Sequence, residues 1–141
     1  MLDEAHLLAA DVLIDLRLLV SSALDDTPVL KVVLVGQEPL RQTLKQCRHA
    51  DLRNRIEVRY HLSPLSKDQT GEYIDFQIER VGGSEKLFEG PVKGLIHDYT
   101  GGVPRQINNL ATACLLCAAT EKARGISEAI LQQTLAEFQL P

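Results

Sequence analysis

The six residues Leu30-Lys31-Val32-Val33-Leu34-Val35 constrain this chain more than any other segment. They are almost entirely apolar, carry valine at 32, 33 and 35, and stop at Gly36. A run this short and apolar on both faces reads as a buried parallel-type strand. Such a strand needs neighbours, so the surrounding segments must supply a sheet. Ile56 to Leu62, IEVRYHL, alternates in the manner of a second strand. Ala5 to about Leu24, rich in Leu and Ala with charges at Asp11, Asp15 and Arg17, predicts a long helix with a broad apolar face, stopped by Asp25-Asp26-Thr27-Pro28. Pro39 suits the first turn of a short helix to Arg48, and a further short segment around Asp51 to Arg55 leads into the second strand.

The pattern changes near Pro64, after which only helices are expected. Ser66 with Gln69 three residues later is a capping-box signature for a helix over Lys67 to Val81, ended by Gly82-Gly83. Pro91 to Tyr99 reads as the next helix, closed by Gly101-Gly102. Pro104 opens one that runs to about Lys122, and Ser127 caps a last one to about Phe138. The expected architecture is an α/β piece over residues 1–64 and a helical piece over 65–141, mainly helical overall.

Bulk properties exclude several classes. With no Trp and only 4% aromatic residues, the core must be aliphatic, which favours helices packed on Leu, Ile, Val and Ala. A net charge of −4 gives no general field toward nucleic acid or an anionic membrane. The longest apolar run, Leu110 to Ala119, is far shorter than the roughly 20 residues that span a bilayer. No signal peptide is read at the start, and 3 cysteines without framework spacing fit a reducing compartment, so the cytoplasm is the expected location. Cys114-Leu115-Leu116-Cys117 lies inside an apolar helical stretch and reads as core thiols, and the scattered His6, His49, His61 and His97 form no metal-ligand spacing.

The residues that carry chemistry fall at element ends. Asp3-Glu4 follows an apolar stub and precedes the first helix. There an aspartate can hold the hydration shell of Mg²⁺ and a glutamate can orient an attacking water, although first-turn acids also occur for the helix dipole alone. Gln37 ends the Leu30–Val35 strand, in Gly36-Gln37-Glu38-Pro39-Leu40-Arg41. Arg53-Asn54-Arg55-Ile56 stands just before the second strand, and Thr100-Gly101-Gly102-Val103-Pro104-Arg105-Gln106-Ile107-Asn108 puts Arg105 in the first turn of a helix, where exposed amides already favour anions.

In this order, these motifs resemble the AAA+ ATPases, close to the ExeA/GspA-like general secretion pathway type. The resemblance covers nearly the whole chain. It implies that Asp3 holds Mg²⁺, that Glu4 polarises water, and that Gln37 is the sensor-1 amide. Arg55 becomes the arginine that reaches a neighbouring subunit, with Arg53 close beside it, and Arg105 the sensor-2 arginine on the nucleotide phosphates. The family signature reads Gly-Gln-Pro-Glu-Leu-Arg, whereas this chain has the middle pair inverted. The implied fold is the remnant of a P-loop NTPase parallel sheet followed by an all-helical lid.

The phosphate-binding Gly-x-x-x-x-Gly-Lys-Ser/Thr loop does not occur in these 141 residues. The expectation is therefore an N-terminally truncated ATPase whose family cofactors are ATP and Mg²⁺, neither held tightly by the chain alone. In the family sheet the missing first strand lies between Leu30–Val35 and Ile56–Leu62. The two strands are thus expected either to pair directly or to take a partner from another copy or from a missing N-terminal part. Secretion is the implied role. A transposition or DNA-metabolism helper of the TniB or MuB type and a non-catalytic interaction module are the alternatives.

Overall fold

A computed structural model describes residues 1–21 and 30–137 of the chain. These form two compact units, Met1–His61 and Leu62–Pro141.

In the first unit, the apolar stub lies beside the predicted Leu30–Val35 strand. Leu2 and Leu34 form an isolated parallel bridge: Leu2 N–H donates to the Val33 carbonyl and Val35 N–H to the Leu2 carbonyl, each at 2.8 Å. Ala5 N–H donates to the Val35 carbonyl at 2.8 Å. A short 3₁₀ turn follows at Ala5–Leu7, and helix α1 spans Ala10–Ser21. The long helix expected from Ala5 is therefore interrupted, because Leu8 is extended. Its expected end at Leu24, with the Asp25–Pro28 stop, lies outside the described residues. Helix α2, Glu38–Lys45, carries proline in its first turn as expected and ends three residues earlier than Arg48. A 3₁₀ turn at Cys47–His49 leads into α3, Ala50–Asn54. Ala5, Leu13, Leu16, Leu40 and Leu52 are buried, and Arg17 on α1 pairs with Asp51 on α3 at 2.7 Å.

The expected sheet is corrected here. Among the described residues no strand forms, and the only bridges join Leu2 to Leu34 and Phe88 to Ile126. Leu30–Val35 has a single short partner, so its ladder stops at one bridge and Val33 stays 56% exposed. Ile56–Leu62 has none: Val58, Tyr60 and Leu62 are each more than four-fifths exposed. Alternation makes a strand only when one face is covered and the backbone groups find partners. The two segments do not pair with each other.

The second unit follows its sequence closely. Helix α4, Lys67–Arg80, starts in the expected capping box: Gln69 N–H donates to Ser66 Oγ at 3.2 Å, and Ser66 N–H to Gln69 Oε1 at 3.0 Å. Helices α5 (Gly90–Thr100), α6 (Pro104–Glu121) and α7 (Glu128–Glu137) complete it, while Phe138, the expected end of the last helix, lies outside the described residues. Each helix buries one stripe at helical spacing: Thr70, Ile74 and Ile78; Val92, Ile96 and Thr100; Ile107, Leu110, Cys114, Cys117 and Ala118; Ile130, Leu131 and Thr134. The stripes meet in an aliphatic core joined by Phe88 and Ile126. The hydroxyls of Thr100 and Thr134 are satisfied by the Ile96 and Ile130 carbonyls at 2.7 Å, which lets both threonines sit inside.

The turn between α5 and α6 positions Arg105. Gly101 and Gly102 have φ of 58° and 74°, conformations that side chains rarely adopt. A Cβ on Gly102 would drive into the Leu65 carbonyl oxygen, whereas one on Gly101 would meet open space. Leu65 N–H donates to the Gly102 carbonyl at 2.9 Å, so the turn is seated on the segment just before α4.

Candidate functional site

The acidic pair and the end of the Leu30–Val35 segment are brought together. The bridge at Leu2 and the Ala5–Val35 hydrogen bond hold the backbone on both sides of Asp3-Glu4. Between them Glu4 takes a left-handed conformation, φ 52° and ψ 32°. For a residue with a Cβ this costs roughly 1–2 kcal/mol, and it persists here because the flanking pairings over-determine it. Asp3 Oδ1 accepts the Glu4 N–H at 2.8 Å, and the Glu4 side chain remains 60% exposed.

His6 joins this pair to Gln37. Its ring is largely buried, with the side chain 12% exposed; Nε2 lies 3.5 Å from Glu4 Oε2, and Nδ1 accepts the Gln37 N–H at 3.4 Å. Gly36 permits the approach, since a Cβ there would stand 2.9 Å from Leu40 Cδ2 and 3.1 Å from the His6 backbone nitrogen. Gln37 is the N-cap of α2 but does not cap it with its side chain. Sequence reasoning gave His6 no role. A search for metal-ligand spacing misses it, because its partners are a carboxylate two residues away and a main-chain amide 31 positions away.

The two arginines before Ile56 differ. Arg53 donates to the Lys45 carbonyl at 3.2 Å, and its own carbonyl accepts from Arg59 at 2.8 Å, so it braces the loop. Arg55 ends α3, is exposed, and its guanidinium forms no ion pair or hydrogen bond among the described residues. Arg105 is exposed in the first turn of α6, in the second unit. Asp3, Glu4, His6 and Gln37 thus form one cluster in the first unit, and Arg55 belongs to the same unit without joining that cluster's hydrogen bonds.

Among the described residues, no group of three or more His, Cys, Asp or Glu side chains is placed to cage a metal. The exposed Asp3 carboxylate instead suits magnesium, which keeps much of its water and takes one or two carboxylates along with substrate phosphates. The nucleotide fits less well, because the Gly-x-x-x-x-Gly-Lys-Ser/Thr pattern whose loop cradles its phosphates does not occur in the sequence.

Elsewhere, His49 is buried with neither ring nitrogen hydrogen-bonded, beside a cavity of about 60 Å³ lined by Ile14, Arg17, Arg48 and Leu52. Burial, with Arg48 adding to it, holds its pKa below the usual histidine value. Cys114 and Cys117 lie in the α6 stripe, and burial pushes the Cys114 thiol up, as for core thiols. No helix among the described residues is long and apolar enough to cross a membrane.

No family model and no solved structure matches the chain. Among curated proteins it is similar to General secretion pathway protein A of Aeromonas hydrophila, with 37% identity over 118 residues. The match takes in 84% of this chain and 22% of that protein, so the chain spans a minor part of its relative's length. The similarity supports the general secretion pathway A type that the motifs resemble.

Proposed function

We propose that the chain is part of a secretion-related AAA+ ATPase, in which it supplies the groups that act at the γ-phosphate while a phosphate-binding segment supplies the cradle. Secretion is carried over from the name of the relative, and ATP hydrolysis from the order of the motifs. The observation that carries the reading is the cluster at the end of the Leu30–Val35 segment, where the Asp3-Glu4 pair stands against the Gln37 turn through His6.

In this reading Asp3 holds the hydration shell of Mg²⁺ and Glu4 orients the attacking water. Gln37 presents its amide to the γ-phosphate, and Arg55 reaches the site of a neighbouring subunit in a ring or filament. Arg105 approaches the phosphates from the helical lid. Bound magnesium would supply charge neutralisation between the phosphates. The largely unpaired backbone of Leu30–Val35 and Ile56–Leu62, flanked by exposed apolar side chains, is where the strand of the phosphate-binding segment would pair, an arrangement that relieves both edges.

The reading makes the 141-residue chain a poor enzyme by itself. The expected result with purified chain is no magnesium-dependent release of phosphate from ATP above the buffer rate. Turnover by the chain alone, abolished by Glu4→Gln, would place the phosphate-binding function inside these residues and overturn the division of labour proposed here.

A further inference from the structure

The chemistry of the first unit leaves one group unassigned, the His6 ring between the Gln37 amide and the Glu4 carboxylate. Nδ1 accepts an N–H, so it must carry a lone pair, and in the neutral ring the proton then sits on Nε2, the nitrogen 3.5 Å from Glu4 Oε2. The ring is therefore held at one end by a main-chain donor, and its other nitrogen faces the Glu4 carboxylate at 3.5 Å. It is also enclosed, with only 12% of the side chain exposed, and the turn that presents the Gln37 N–H is pressed onto the His6 backbone at Gly36. The Gln37 contact, at 3.4 Å, is longer than an ordinary hydrogen bond, and the Glu4 contact, at 3.5 Å, is an ion-pair distance; catalytic contacts are commonly loose in this way before substrate is bound.

We infer that His6 is a positioning residue: a neutral, Nε2-protonated imidazole that sets the place of the Glu4 carboxylate according to the position of the Gln37 turn. Glu4 has few other restraints on its side chain, which is 60% exposed, so without the ring its carboxylate samples solvent. With the ring in place, a displacement of the Gln37 turn moves Nδ1 and, through the rigid imidazole, Nε2 and the carboxylate. This rests on the reading of Glu4 as the water-orienting group, and gives that group a sensor of what Gln37 touches.

The test is ¹⁵N and ¹H NMR of the ring and backbone in the 141-residue chain without nucleotide. The expected His6 signature is one pyridine-like nitrogen at Nδ1 and one pyrrole-like nitrogen at Nε2. Glu4→Gln should shift the Nε2 and Hε2 resonances while leaving the Gln37 amide in place. His6→Ala should move the Gln37 amide proton upfield, and His6→Asn, whose Oδ1 can occupy the place of Nδ1, should restore it without restoring the link to Glu4. A proton on Nδ1, averaging between tautomers, or a Glu4→Gln variant with unchanged His6 resonances would overturn the proposal. Should His6→Ala disturb the turn as a whole, Glu4→Gln still decides, because that side chain is exposed. Failure of ATP hydrolysis in any assembled form would remove the water-orienting role but leave this signature, so the two readings fail separately.

Discussion

Replacing Gly102 and Gly101 in turn by alanine separates backbone strain from close packing at the turn that carries Arg105. Both glycines have positive φ, 58° at Gly101 and 74° at Gly102, so each alanine takes on a left-handed backbone at roughly 1–2 kcal/mol. Gly101 has nothing near its missing Cβ, and the cost should stop there. At Gly102 the new Cβ meets the Leu65 carbonyl, and relieving that clash pulls apart the Leu65 N–H to Gly102 carbonyl bond, 2.9 Å long, which adds about 1 kcal/mol. Gly102→Ala should therefore cost roughly 2–3 kcal/mol, a sizeable part of the roughly 5–15 kcal/mol by which domains are stable. Urea unfolding followed by circular dichroism measures this directly. With a dependence of about 1 kcal/mol per molar for a unit of this size, the midpoint should fall by about 1–2 M for Gly101→Ala and about 1 M further, to about 2–3 M, for Gly102→Ala. Hydrogen exchange at the α4 and α6 amides assigns the loss to the second unit. Equal losses for the two variants would refute the claim that the turn is seated on Leu65.

Acid should weaken the first unit through His49. Its folded pKa lies below the usual value of about 6.5, so the unfolded chain takes up the proton first; the stabilisation is complete above about pH 6.5 and is lost as pH falls below it. His49→Leu, filling the same buried space without ring nitrogens, should flatten that dependence in amide exchange across α1 and α3, and an unchanged profile would count against it. For the thiols, an alkylating reagent should modify exposed Cys47 in the native chain and reach buried Cys114 and Cys117 only on unfolding, as mass spectrometry of the digested protein would read.

Legibility differed between the two units for a physical reason. From Ser66 onward the helices start and stop at local signals and each buries a stripe that other helices of the same unit cover, so Ser66-Gln69, Gly101-Gly102 and Pro104 act where the sequence places them. The strands needed more than local pattern. Leu30–Val35 has the composition of a central strand, yet its pairing ends with Leu2, and Ile56–Leu62 alternates without a surface to alternate against. In the candidate site, the adjacency of Asp3-Glu4 to Gln37 could be read from motif order, whereas His6 could not. Its role depends on a left-handed Glu4 and on a glycine at 36 that admits the His6 backbone, neither of which a spacing rule encodes.

The most direct measurement joins the chain to the phosphate-binding segment of an AAA+ protein and follows ATP binding and phosphate release with and without Glu4→Gln. The expected result is magnesium-dependent turnover in the joined protein, with Glu4→Gln keeping nucleotide binding while losing at least about 100-fold in kcat, the scale of removing a general base. Turnover that Glu4→Gln leaves intact, in a joined protein that binds ATP, would contradict the assignment of this cluster to the γ-phosphate.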